Sequence, residues 1–134
     1  MLDPASFGRV LAFAAVYAGI EYRYVNRWER GLPEDRQGEP EKPAFWVVLP
    51  YHVYFLLPAF VVVSFALPPT AWAGNGLLLA VAEDVAYFCW RRKWVAPGEW
   101  TTTLMGSLNA GEYAIPLWWP VCLAAAAALY AAPF

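Results

Sequence analysis

Two carboxylates stand side by side inside an apolar run: Glu83 and Asp84, in LLLAVAEDVAYFCWRRK, residues 77–93. Placing an ionisable side chain in an apolar medium costs on the order of 2.5–3.5 kcal/mol on membrane-insertion scales, so the pair is a functional hypothesis. Two chemistries suit it. A carboxylic acid whose pKa is raised by burial stays protonated at neutral pH and can act as a general acid toward an alkene or epoxide, with a second group collecting the proton afterwards. Carboxylates also hold hard cations, so a divalent metal such as Mg2+, alone or with a diphosphate, is the alternative cofactor. His52, the only histidine, serves either case: as proton acceptor, or as third metal ligand beside Glu83 and Asp84.

Spacing narrows the geometry. Glu83 and Tyr87 are four residues apart and share a helical face, whereas Glu83 and Asp84 are adjacent and point about 100° apart. The two acids therefore converge on one point only if the site is broad; otherwise one does chemistry and the other holds Arg91 or Arg92. Glu21, Tyr51, Tyr87, Asn109 and Glu112 are the further candidates to line a substrate site. Arg91 and Arg92 either anchor the helix end or recognise an anionic headgroup or diphosphate. No HExxH, GxSxG, CxxC, aspartate-rich alcohol-transferase pattern or histidine-box set is present, which excludes those enzyme classes.

The elements that must position these groups follow from composition. Of 134 residues, 60% are hydrophobic and 15% charged, an integral-membrane balance, and eight Trp and eight Tyr agree with it. Four apolar runs, at about 5–25, 44–67, 71–90 and 112–132, approach the roughly 20 residues that a helix needs to cross a bilayer. The connections at about 26–43 and 91–111 are polar, and the latter has room for an interfacial or re-entrant segment. LPPTAW forces a tight turn between the second and third runs. Eight of the nine basic residues fall at or in the first and third connections, leaving Arg9 opposite. The expectation is an all-α integral membrane protein of the cell membrane: a single-domain four-helix bundle with both termini outside and a polar pocket in the cytoplasmic half.

At about 1.5 Å of rise per residue, His52 falls roughly 12 Å and Glu83 and Asp84 roughly 10 Å inside the cytoplasmic boundary, so their depths match. Cys89 and Cys122 lie in apolar runs without neighbouring ligands and are read as small buried hydrophobes. A formal charge of −2 without a basic stripe excludes a nucleic-acid partner. Membrane lipids and a hydrophobic small molecule are the partners expected, and a bundle this small can need a second copy to enclose a pocket.

The run AEDVAYF resembles the acidic-pair-plus-aromatics stretch of the small, helical lycopene-cyclase-type domains, over about seven of 134 residues. That resemblance implies protonation of carotenoid ends as the reaction type. The leading expectation is thus a cyclase- or isomerase-type enzyme acting on a lipid or isoprenoid, with Glu83, Asp84 and His52 catalytic. A small proton- or ion-coupled transporter or channel subunit and a membrane partner or assembly protein are the alternatives.

Overall fold

The computed structural model describes residues 3–29 and 56–132, with side chains for 3–23 and 56–132. The chain runs α1 (Pro4–Glu29), α2 (Leu57–Ser64), α3 (Pro69–Arg91), a one-turn α4 (Trp100–Thr103), β1 (Ser107–Ala110), β2 (Tyr113–Pro116) and α5 (Trp118–Ala131). α1 starts where the Asp3 carboxylate accepts the Ala5 and Ser6 N–H groups at 3.2 and 3.0 Å, with Pro4 at a first-turn position that has no N–H to satisfy. α3 likewise begins on Pro69. It stops at Arg92, whose left-handed φ of 55° turns the chain and returns its N–H to the Cys89 carbonyl at 3.2 Å.

α3 is the central element, with α1 and α2 packed on one side and α5 on the other. Val10, Ala14 and Leu79, backed by Phe13, Phe60 and Val63, make the core between α1, α2 and α3. Val81, Phe88, Val95, Ala114 and Trp119 make the second, where α3 meets α5 and the hairpin. β1 and β2 pair antiparallel with Leu108 opposite Ile115 and Ala110 opposite Tyr113. The two-residue turn between them places Gly111 first at φ 64°, where a II′ turn requires positive φ.

α2 is short, yet each of its last four carbonyls, which a helix leaves without internal partners, is satisfied. The Trp72 indole donates to Val61 O at 3.0 Å, the Phe65 N–H to Val62 O at 3.3 Å, Arg9 Nε to Val63 O at 2.9 Å and Asn75 Nδ2 to Ser64 O at 2.9 Å. Asn75 is 1% exposed and also donates to Ser6 Oγ at 3.4 Å, while its Oδ1 accepts from the Tyr130 hydroxyl of α5 at 2.8 Å. One amide therefore joins α1, α2, α3 and α5.

This architecture corrects the expected four-span membrane bundle with both termini outside. Among the described residues no helix is long and apolar enough to cross a membrane. α5, at 14 residues, is about 21 Å long against a hydrocarbon core of about 30 Å. α1 and α3 have the length, but Arg9, Glu21 and Arg23 interrupt the one and Asn75, Glu83, Asp84 and Arg91 the other. The run at 112–132 does not form one helix. Its first residues pair as β2, because Gly111 turns the chain and Pro116 offers no N–H to an upstream helix turn. Of the run at 44–67, only the residues from 56 onward are described.

Two glycines of α3 separate packing from helix propensity. A Cβ on Gly74 would lie 2.9 Å from the Tyr130 ring, which its hydroxyl pins to Asn75; on Gly76 it would meet only Ser64 Oγ, at 3.9 Å. Gly74→Ala should cost about 1–3 kcal/mol through overpacking, and Gly76→Ala should gain up to about 1 kcal/mol. Thermal unfolding of the two variants checks this; the reverse ranking, or no difference between them, would contradict the packing described.

Candidate functional site

α1 and α3 run parallel, as the succession of contacts from Ser6–Asn75 through Val10–Leu79 requires. Further along, this pairing brings Glu83 of α3 against Glu21 of α1, and the two carboxyl groups hydrogen-bond to one another. Two carboxylates have no proton to place between them, so such a bond exists only when one of the two is protonated. Glu83 keeps that proton. Its carboxyl is pushed up to about 9, first by burial, then by the hydrogen bond with Glu21 and the charges of Glu21 and Asp84. Glu83 Oε1 is buried and has no hydrogen-bond partner among the described residues. Tyr17, 5% exposed and one turn before Glu21, completes the group. Burial and the two glutamates raise its phenol well above the ordinary range.

Asp84 faces the other way. It is 2% exposed, and its Oδ2 accepts from Thr101 Oγ1 at 2.7 Å and from the Trp119 indole at 2.8 Å. Trp118 donates to Thr101 Oγ1 at 3.0 Å, holding the hydroxyl in place. Burial pushes the Asp84 carboxyl up to about 6, and the two donated hydrogen bonds oppose the rise by favouring the charged form. This is a structural anchor that ties α3 to α4 and α5 at one oxygen.

The remaining candidates disperse. Arg91 forms a bidentate pair with Glu99 at 2.6 and 2.7 Å and lies over the Phe88 ring at 5.0 Å, so it is committed to closing the loop after α3. Arg92 is the exposed left-handed residue that ends α3. Asn109 and Glu112 stand exposed on the hairpin, which packs on α4 and α5, whereas the carboxyl pair lies between α1 and α3. Tyr87 stays near the pair's seam, edge-on to Tyr22 of α1 with ring centres 6.3 Å apart. His52 and Tyr51 lie outside the described residues. Among the described residues no group of three His, Cys, Asp or Glu side chains could hold a metal. Of the expected ligand set, Glu83 and Asp84 point to different neighbours, and His52 falls outside the described residues.

Beside the pair's seam, Leu11, Ala14, Ala15, Ala82, Val85, Ala86, Cys89 and Trp90 line an open groove of about 460 Å³. Cys89 is exposed there, contrary to its reading as a buried hydrophobe. The functional residue that the sequence reading missed is Tyr17. Its signal was present, since Tyr17 and Glu21 are four apart and share a helical face. Thr101 and Trp119 carried no comparable signal, because their link to Asp84 spans a loop.

Both buried acids titrate at higher pH folded than unfolded. The associated stability is complete below the ordinary carboxyl range and is lost as pH rises, through about 6 for Asp84 and about 9 for Glu83. Chemical denaturation of the wild type should show stability falling between pH 5 and pH 9, by about 1.4 kcal/mol for each full unit of pKa shift, and Glu83→Gln should flatten the upper part of that fall. An identical slope in the variant would remove the raised Glu83 carboxyl. Thr101→Val should destabilise by about 1–3 kcal/mol through the lost bond to a buried carboxylate, more at pH 8, where Asp84 is charged, than at pH 5.

Comparison with protein-family models, with curated proteins and with solved structures gives no match, so the function is argued from the side chains themselves.

Proposed function

We propose that the chain is an acid–base catalyst for an apolar substrate of the lipid or isoprenoid kind, with Glu83 as the acid and Glu21 as the carboxyl that shares its proton. What supports this reading is the buried Glu83 carboxyl set against Glu21, pushed up to about 9 by burial first and then by Glu21, with Glu83 Oε1 buried and without a hydrogen-bond partner among the described residues. A buried polar atom without a partner is costly to keep, which is the condition under which a role outside stability is expected. Environments that push two neighbouring carboxyl groups apart divide acid from base.

In the reaction envisaged, Glu83 delivers its proton to an epoxide oxygen or an alkene carbon, and the cation that results rearranges. A neighbouring carbon then returns a proton to the carboxyl pair. The net change is an isomerisation or cyclisation that consumes no co-reactant. Tyr17 feels the charge of both glutamates. The proposed substrate class is drawn from the apolar groove between the same two helices, beside Glu83 in the chain at Ala82 and built largely of small side chains; the two glutamates themselves are not part of its lining.

Mass spectrometry of solvent extracts from cells expressing the wild type, Glu83→Gln, Glu21→Gln or Arg92→Ala tests the reading. A lipid or isoprenoid species that depends on the wild type should disappear in both glutamine variants and persist in Arg92→Ala. Identical profiles across all four would reject it. One observation favours a second reading, a protein that binds a partner: Leu108, Tyr113 and Ile115 of the hairpin, with Leu104 and Met105, are large apolar residues left exposed.

A further inference from the structure

Trp90 combines two properties that pull against each other. Its side chain is 53% exposed, yet its indole N–H donates to the Ala15 carbonyl in the middle of α1 at 2.8 Å. An exposed indole gains nothing by reaching a helix carbonyl unless the approach is prepared, and the preparation is Gly19. A Cβ built there would lie 2.9 Å from Trp90 Cε2 and 3.0 Å from Nε1, so the ring rests on bare α1 backbone. Trp90 follows Glu83 by seven residues, two helical turns, and therefore shares its stripe on α3. On α1 the ring covers Ala15–Gly19, the turn that carries Tyr17 and leads to Glu21. At the far end of the same helix pair, Asn75 holds Ser6. The two contacts pin α1 against α3 on either side of the core formed by Val10, Ala14 and Leu79.

Register matters because a slide of one residue moves a side chain about 1.5 Å along the axis and swings it about 100°. Either change would alter how Glu21 meets Glu83, whose carboxyl it helps to raise. We infer that Trp90 is a positioning residue for the carboxyl pair: its indole on the Ala15 carbonyl and its ring on Gly19 set the register of α1 that brings Glu21 to Glu83. The functional meaning of this rests on the acid–base reading, but the geometry can be tested without it. Among the described residues, the titratable groups that face or adjoin Glu83 are Glu21 and Tyr17 from α1 and Asp84 on its own helix, with Tyr87 one turn on. The indole N–H of Trp90 is given to α1 backbone and to none of these side chains, so its loss reaches Glu83 through helix register.

The test is a carbon-detected NMR titration of the Glu83 carboxyl in the full chain. Wild type is compared with Trp90→Phe, Gly19→Ala, Trp90 replaced by benzothienylalanine, and Trp100→Phe as a control. Benzothienylalanine keeps the bicyclic ring and lacks only the N–H, so it preserves packing where Trp90→Phe or Gly19→Ala fails to fold. Each change at Trp90 or Gly19 should lower the Glu83 midpoint by a pH unit or more, a tenfold loss of proton affinity, with cooperative unfolding retained and Trp100→Phe at the wild-type midpoint. A wild-type midpoint in the folded benzothienylalanine protein would overturn the inference. So would an equal shift in Trp100→Phe. Loss of the lipid product in Glu83→Gln beside an unmoved midpoint would sink the positioning role alone; a shifted midpoint beside an unchanged lipid profile would sink the enzyme reading alone.

Discussion

Neighbouring residues on an α-helix diverge by about 100°, and that angle, applied to Glu83 and Asp84, organises much of this molecule. The first acid is sent toward α1 and the second toward α4 and α5. α3 is covered on both sides, by α1 and α2 on one and by α5 on the other, so both acids are withdrawn from water. The two hydrophobic cores lie on the corresponding sides of the helix, Val10 and Leu79 with the first acid, Phe88 and Trp119 with the second. A central helix with two unlike neighbours is the outcome.

The two acids are accommodated by different physics. Glu83 is pushed toward its neutral form, first by burial and then by Glu21, which lessens the desolvation cost of a buried carboxyl group. Asp84 retains more of its charge and meets two neutral donors at one oxygen. Among the described residues, neither is given a cation. Arg91, two turns beyond Asp84 on the same helix, is spent on Glu99 instead. Pairing Asp84 with a guanidinium in the interior would have required burying a second charge, a cost the Coulombic gain often fails to offset. A hydroxyl and an indole hold the group without it.

Much of the helical organisation was legible in the apolar runs, and α1 and α3 cover two of them. Hydropathy does not report surroundings: Ser6, Arg9, Asn75 and Asp84 of α1 and α3 are met by partners on other elements, which no local window reveals. Asn75 and Ser64 read as isolated polar positions in apolar stretches, yet the Asn75 amide donates to the Ser64 carbonyl, one residue along from the carbonyl that Arg9 takes. The hairpin at 107–116 escaped notice because Asn-Ala-Gly-Glu is a weak turn signal and the strand that follows merges with an apolar run. At the candidate site, the ionisable pair at 83–84 is legible in the sequence, and the structure buries both acids. Among the described residues Glu83 lies against Glu21, while His52 falls outside them; one sequence does not say which helices are neighbours, and a parallel α1–α3 pair follows only from contacts remote in the chain.

The Asn75 amide has a consequence for how the fold closes. It contacts Ser6, 69 positions earlier, and Tyr130, 55 positions later, so the two arms of the described chain converge on one side chain near its middle. Loop-closure entropy makes both contacts slow to form compared with the local ones around them. The same amide also donates to the Ser64 carbonyl of α2. Asn75 is therefore a checkpoint of assembly as well as a bond: its hydrogen-bonding capacity is filled only when the first, middle and last helices have all arrived.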